Sequence, residues 1–171
     1  MDFNAIIEMF RRNVTEHYFD MSGRVGRKEF WFFALACVVV LIAAAIIDAI
    51  IGFGILRPLV GLALLLPTAG IGARRLQDTG RNGTLVWILV ILSAIMQVVA
   101  LLTALAGPFG ALAFLGLFLM FGWLIMLISL AALVMAIVLI YFWIQPGTAG
   151  PNQYGPQPPE FSPVPAAPPA S

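Results

Sequence analysis

Long uncharged stretches are the feature that most constrains this chain. Between residues 30 and 144 only six side chains carry a charge, namely Asp48, Arg57, Arg74, Arg75, Asp78 and Arg81. The chain of 171 residues is 61% hydrophobic and 10% charged, whereas an ordinary soluble domain has about 25% charged residues. A soluble fold of this length cannot hide so much apolar surface from water. We therefore predict an all-α, polytopic membrane protein.

Four apolar stretches are long enough to form transmembrane helices, at about residues 30–51, 55–73, 85–106 and 122–144. The first stretch is about 33 Å long as a helix, which crosses a bilayer core of about 30 Å. Gly26 is expected to be its N-cap, with Glu29 reaching back to it as in a capping box. Pro67 lies inside the second stretch and should kink it, which is tolerated when a neighbour satisfies the freed carbonyl.

The last apolar stretch, residues 109–144, is ambiguous because it has 36 residues and no charge. As one helix it would be about 54 Å long, whereas a tilt of about 40° stretches a 30 Å crossing only to about 39 Å. The stretch therefore crosses twice or extends beyond the bilayer core. We expect one crossing at about residues 122–144, preceded by a short apolar segment packed at the outer face.

The basic residues are sorted between the two ends of the predicted helices. Eight of the nine lie within residues 1–29 or 74–84, and only Arg57 lies between the first two spans. Basic residues favour the cytoplasmic side of a membrane. With four crossings, the N-terminus, the 74–84 loop and the C-terminal tail are all predicted to be cytoplasmic.

The N-terminal segment, residues 1–29, contains a helical apolar face formed by Phe3, Ile6, Ile7, Phe10, Val14 and Tyr18. This face predicts an amphipathic helix on the inner leaflet, and the alternative is a helix packed on the protein's own loops. The tail, residues 145–171, holds nine of the twelve prolines. It is predicted to be disordered with polyproline II character and to act as a spacer, although Pro156-Gln157-Pro158-Pro159 and Pro165-Ala166-Ala167-Pro168 both fit a PxxP motif.

Few polar residues lie within or beside the predicted spans. Asp48 is expected to pair with Arg57 and close the first hairpin, and the alternative is a proton or cation site. Arg75 and Asp78 are three residues apart, so they can pair on a helical extension, or Asp78 can bind the Thr79-Gly80 turn. Gln97 is expected to form a hydrogen bond between helices.

A collar of basic residues is predicted on the cytoplasmic side. One interpretation is that the collar attracts anionic headgroups in general. The alternative is a specific site for a lipid or a phosphate group. Its members are Arg24, Arg27, Lys28, Arg74, Arg75 and Arg81.

Three segments together resemble a known family. They are Ser22-Gly23-Arg24 through Arg27-Lys28-Glu29-Phe30-Trp31, Arg75-Leu76-Gln77-Asp78-Thr79-Gly80-Arg81-Asn82-Gly83, and Pro146-Gly147-Thr148 through Tyr154-Gly155. The chain resembles the bacterial inner-membrane family known as domain of unknown function 805 over about residues 15–158. Gln77 stands where that family commonly has His, so acid–base chemistry is missing at that position. The resemblance implies a multi-pass protein of the bacterial plasma membrane but no mechanism.

The sequence contains no catalytic constellation. One cysteine and one histidine cannot form a Cys/His zinc site, and neither a Walker A loop nor a Gly-x-Ser-x-Gly elbow is present. We expect no cofactor, no metal and no nucleic-acid partner. The favoured function is a non-enzymatic structural, interaction or lipid-contacting protein, with a homo-oligomer or a membrane-protein partner possible. The alternatives are a small transporter or channel subunit that uses Asp48 and Gln97, and an enzyme acting on lipid headgroups.

Overall fold

The computed structural model describes residues 3–159. Within that range the α-helices are α1 Phe3–Thr15, α2 Arg27–Ile51, α3 Leu56–Asp78, α4 Trp87–Leu105 and α5 Gly107–Ile144. A short 3₁₀ helix, Gly83–Val86, leads directly into α4. The described residues form no β-strand, and the predicted all-α class is confirmed.

Four helical segments are long and apolar enough to cross a membrane: α2, α3, the 3₁₀ helix with α4, and α5. This agrees with the four predicted spans. Each packs on the next along the chain, so that α2 contacts α3, α3 contacts α4 and α4 contacts α5. Helix α1 packs on α2 and α3. The chain therefore fits an integral membrane protein with one extra helix at one end of the bundle.

Both ends of α2 are set by glycines. Gly26 is the N-cap in an extended conformation, and Gly52 ends the helix with φ +83°, a left-handed conformation that glycine adopts without strain. The predicted capping box does not form. Instead, the Glu29 carboxylate accepts hydrogen bonds from Arg12 Nη2 at 3.0 Å and Asn13 Nδ2 at 3.4 Å. Donors on α1 therefore compete successfully for the carboxylate that would have capped α2.

Helix α3 continues five residues beyond the predicted end at residue 73 and stops at Asp78. Its last turn closes at Gly80, which has φ +76°. The Arg81 N–H donates to the Leu76 carbonyl and the Gly80 N–H donates to the Gln77 carbonyl, both at 3.0 Å. These two bonds form a Schellman motif that satisfies the terminal carbonyls. The predicted 74–84 loop is thus helical over its first half.

Helix α5 is continuous from Gly107 to Ile144, so the separate outer segment predicted before residue 122 is wrong. Pro108 lies in the first turn, where the missing N–H has no helical partner to lose. Beyond it, residues 109–144 contain no proline to interrupt the helix. The first part of α5 is highly exposed, with Phe109 at 82% and Leu119 at 76%.

Burial is concentrated at one end of the bundle. The most enclosed stretch is the last part of α3, where every residue from Ala69 to Leu76 is buried. Leu139 is the buried residue of α5, and none of the residues of α4 is buried. The enclosed end is where α1, the 3₁₀ helix and the residues after α5 meet. It also holds most of the chain's charged groups.

Candidate functional site

Three buried charged side chains meet at the enclosed end and are here termed the polar junction: Arg24, Asp78 and Arg75. Their side chains are 1%, 5% and 0% exposed, respectively. Arg24 Nη2 lies 2.8 Å from Asp78 Oδ1, and Arg75 Nη1 donates to Asp78 Oδ2. One carboxylate therefore lies between two guanidinium groups, and the junction keeps a net positive charge.

Arg24 is held by backbone carbonyls that follow α5. Its Nη1 donates to Gly150 O at 2.6 Å and to Gly155 O at 3.3 Å. Its Nη2 donates to Thr148 O at 2.6 Å, and its Nε donates to Asp78 Oδ1 at 3.0 Å. All three nitrogens of the side chain are therefore bound to the protein itself.

Arg75 is held in the same way from the opposite side of Asp78. Its Nε donates to the Trp143 carbonyl at 3.0 Å, its Nη1 donates to the Val25 carbonyl at 3.5 Å, and its Nη2 donates to the Gln145 carbonyl. A buried charge is tolerated when it is paired and hydrogen-bonded. These contacts place both arginines inside the protein, not at the headgroup surface where the sequence placed them.

Residues 145–159, here termed the C-terminal segment, are ordered against the end of α3. The Thr148 N–H donates to the Asp78 carbonyl at 2.8 Å, and Asn152 Nδ2 donates to the Gln77 carbonyl at 2.9 Å. A Cβ at Gly147 would collide with the Asp78 carboxylate, so this close approach requires glycine. The predicted disorder is therefore wrong for this segment. Residues 160–171, including the second predicted PxxP motif at residues 165–168, lie outside the described residues.

Arg74 attaches α1 to α3. Its Nη2 donates to Asn13 Oδ1 at 2.7 Å, and Asn13 Nδ2 donates to the Met9 carbonyl at 2.9 Å. Arg74 and Asn13 are only 7% and 1% exposed. Arg74 is therefore a structural anchor of the N-terminal helix and not a surface group of the predicted collar.

The apolar face of α1 is divided between the protein and its surroundings. Ile6, Phe10 and Val14 pack against the hydrophobic core, and the ring of Phe10 stacks on that of Phe33 with centroids 5.4 Å apart. Phe3 is 72% exposed and Ile7 is 63% exposed. The helix thus packs on α2 and α3 and not on loops, and it still presents apolar side chains outward.

The remaining collar residues behave differently from one another. Arg81 lies over the ring of Phe142, with the guanidinium carbon 3.9 Å from the centroid. Arg27 and Lys28 are exposed in the first turn of α2. They line a cleft of about 270 Å³ that has the polar junction on one side and the C-terminal segment on the other. Of the six predicted headgroup residues, these two are the exposed ones.

Asp48 does close the first hairpin, but not through the Arg57 side chain as predicted. Its Oδ1 accepts from the Leu56 N–H at 2.9 Å, and its Oδ2 accepts from the Arg57 N–H at 2.6 Å. The carboxylate therefore caps the first turn of α3, where unpaired N–H groups and the helix dipole favour a negative charge. Both oxygens are engaged in this structural contact.

Gln97 lies at the contact between α4 and α3. A Cβ at Gly61 would collide with its side-chain amide, so the glycine allows the two helices to approach closely. Gln97 also lines a mostly apolar cavity of about 400 Å³ together with Cys37, Thr68 and Ser93. This placement agrees with a role between helices, in which Asp48 at the end of the hairpin takes no part.

A small hydrogen-bonded turn at residues 17–22 packs on α3. Asp20 Oδ1 accepts from the Ser22 hydroxyl at 2.6 Å and the Ser22 N–H at 2.9 Å, and its Oδ2 lies 3.0 Å from His17 Nδ1. The bonds from Ser22 lower the pKa of the Asp20 carboxyl below its ordinary value. The Asp20 carbonyl would be 2.8 Å from a Cβ at Gly70, so this contact also requires glycine.

Sequence reasoning missed the acceptors that surround the two buried arginines. These are main-chain carbonyls between residues 143 and 155, and no side-chain pattern marks them. The one available signal was the Pro146–Gly155 motif itself, whose Gly147, Thr148 and Asn152 all contact the end of α3. The three motifs that carry the family resemblance thus meet at the enclosed end of the bundle.

The model of the family described as "Protein of unknown function (DUF805)" matches residues 18–156. The chain belongs to this family. The matched range contains Arg24, Arg75, Asp78 and the ordered part of the C-terminal segment through residue 156, so the polar junction lies within the family's common region. No curated protein and no solved structure matches the chain.

The DUF805 match places an integral membrane protein in a family without an assigned biochemical role. Among residues 3–159 no group of three or more His, Cys, Asp or Glu side chains is placed to hold a metal ion. The chemistry of the polar junction is that of two arginines, one carboxylate and backbone carbonyls.

Proposed function

We propose that this DUF805 protein is a non-enzymatic protein of the bacterial plasma membrane that contacts anionic lipid headgroups at its cytoplasmic end. The observation that carries the proposal is the cleft lined by Arg27 and Lys28. It lies beside the net positive polar junction and at the start of a membrane-length helix. Basic residues near an anionic leaflet each contribute about 1 kcal/mol of attraction.

The surroundings of Arg27 and Lys28 support a position at the membrane interface. The same two residues border an apolar groove formed by Trp31, Phe32, Leu35 and Ile144. Tryptophan is enriched where headgroups meet the hydrocarbon core. A lipid placed here would meet positive charge at its headgroup and apolar side chains along its chains.

The cytoplasmic orientation is supported by the distribution of charge. One end of the bundle holds Arg24, Arg27, Lys28 and the arginines between residues 74 and 81, whereas the other end holds Arg57. A reporter fused after Tyr154 tests this orientation directly. We expect activity from a reporter that functions in the cytoplasm and none from a reporter that functions outside it. Activity from the outer-side reporter alone would contradict the proposed topology.

The non-enzymatic assignment is supported by what the charged groups do. Asp78 binds two arginines, Asp48 caps α3, and Glu29 binds donors on α1. Each of these three carboxylates has a structural partner, so none of the three is held ready as a general base. Loss of a turnover activity on a purified lipid through a single carboxylate substitution would overturn this part of the proposal.

Lipid dependence provides the functional test. Purified protein is reconstituted in nanodiscs of phosphatidylcholine with and without phosphatidylglycerol, and the midpoint of thermal unfolding is measured. We expect the anionic lipid to stabilise the native chain and the Arg57→Gln control, but not the Arg27→Gln/Lys28→Gln double variant. The control removes one charge from the opposite end of the bundle. An equal response of all three proteins would contradict headgroup contact at the cytoplasmic end.

A further inference from the structure

The cleft beside the polar junction is open to solvent and is lined by concentrated positive charge. Its volume is about 270 Å³, and its lining includes Arg24, Arg27, Lys28, Arg75 and Asp78. Four cationic side chains and one carboxylate thus line the cleft. We propose that this cleft binds one phosphate-ester anion in a discrete, saturable site. The inference rests on the proposed function, because it assigns the headgroup contact to a single place.

The floor of the cleft supplies a fixed positive potential. Arg24 and Arg75 donate to backbone carbonyls between residues 143 and 155, so their guanidinium groups cannot swing away. Both oxygens of Asp78 accept from these arginines, and its side chain is 5% exposed. Charges held in a water-poor setting act more strongly than charges in bulk solvent. The floor therefore attracts an anion without needing to rearrange.

The walls of the cleft supply the donors. Arg27 and Lys28 are exposed on one side, in the first turn of α2. On the other side, Gln157 accepts from the Gly150 N–H at 3.0 Å through its Oε1, which leaves its amide nitrogen as the donor. Guanidinium, ammonium and amide donors placed on two sides suit the several oxygens of a phosphate group.

A phosphate ester could come from a lipid headgroup or from a soluble metabolite. The apolar groove that begins at Arg27 and Lys28 provides a path for acyl chains, which favours the lipid source. The shared chemistry is a phosphate group with at least one negative charge. The experiment therefore needs one soluble probe and one lipid probe.

The experiment uses the full chain in a neutral detergent with glycerol 3-phosphate and short-chain phosphatidylglycerol as separate titrants. Binding is measured by calorimetry at constant ionic strength. We expect one binding site per chain for at least one titrant. Affinity should fall about tenfold for Arg27→Gln and for Lys28→Gln, because each removes one charge-assisted contact. Gln157→Ala should weaken binding in the same direction, and the opposite-end control Arg57→Gln should bind as the native chain does.

Several outcomes separate this inference from the proposed function. Saturation by the lipid alone identifies the headgroup as the source, and saturation by both titrants identifies the phosphate group itself. If neither titrant saturates but nanodisc stabilisation still depends on Arg27 and Lys28, the discrete site is wrong and the headgroup contact remains. If the nanodisc response is also absent, the proposed function is wrong. An equal loss of affinity in Arg57→Gln would overturn the site as well.

Discussion

The hydroxyl of Tyr18 donates a 2.8 Å hydrogen bond to the carbonyl of Ala63. Ala63 lies four residues before Pro67, which is inside α3 and has no N–H to donate. The N-terminal segment therefore satisfies the carbonyl that the proline frees. This contact explains how a proline is accommodated in a helix long and apolar enough to cross a membrane.

The contact between Tyr18 and Ala63 predicts a specific coupling with Pro67. Tyr18→Phe should lower the free energy of unfolding by about 1 kcal/mol, because it leaves a carbonyl without its donor. In a Pro67→Ala background the restored N–H can bond to Ala63, so the same substitution should cost much less. Thermal unfolding of the four proteins in detergent forms a double-mutant cycle. Additive effects of the two substitutions would show that the hydroxyl does not serve the proline.

Asp78 is predicted to be indispensable for the enclosed end. Asp78→Asn removes the counter-charge of Arg24 and Arg75, whose side chains are 1% and 0% exposed. Removing one charged partner of a buried ion pair costs about 3–5 kcal/mol of folding free energy. We therefore expect a large fall in the midpoint of thermal unfolding or loss of folded protein. Asp48→Asn is the matched comparison. It keeps an oxygen acceptor for the first turn of α3 and should cost clearly less, as measured by size-exclusion recovery and thermal unfolding.

Gly147 is predicted to tolerate no side chain. Gly147→Ala places a methyl group against the Asp78 carboxylate and should detach the C-terminal segment from α3. The control is Gly116→Ala, since Gly116 is inside α5 with nothing within 4 Å of an added Cβ. Alanine there should be neutral or stabilising by about 0.5–1 kcal/mol, because glycine is a poor helix former. Limited proteolysis after residue 145 distinguishes the two variants, and equal resistance would contradict the prediction.

The turn around Asp20 predicts a pH dependence of stability. The bonds from Ser22 hold the pKa of Asp20 below its ordinary value of 3.8, so the ionised form is favoured in the folded state. A carboxyl whose pKa is lower in the folded state stabilises the fold at pH values above its unfolded pKa. This stabilisation is lost as the pH falls through the folded pKa. The native chain should therefore exceed Asp20→Asn in unfolding midpoint at neutral pH. The difference should shrink below about pH 4, and a constant difference down to pH 3 would contradict this role.

The four membrane-length helices could be predicted from sequence because apolar length is a local property. Residues 30–51 are apolar nearly throughout, and α2 covers them from Arg27 to Ile51. Gly52 and the Gly107-Pro108 pair are local signals of the same kind, because each lies at a helix boundary through its own backbone preference.

The polar junction could not be predicted because its partners are distant in the sequence. Arg24 and Gly150 are 126 residues apart, and Arg75 and Trp143 are 68 residues apart. The composition of the tail predicts disorder, because composition contains no information on the acceptors that two buried guanidinium groups need. By contrast, the Arg75–Asp78 pair was predicted from its spacing of three residues, and it forms on the extension by which α3 continues to Asp78.

The carbonyls that bind Arg24 and Arg75 have a consequence for the order in which the protein is made. Both arginines leave the ribosome long before residues 143–155, which form the end of the last membrane-length helix and the segment after it. Until those residues arrive, the two guanidinium groups lack these acceptors and have to be hydrated instead. Closure of this end therefore requires that all four helices have been synthesised, and a chain that stops before residue 143 leaves both arginines without these carbonyls.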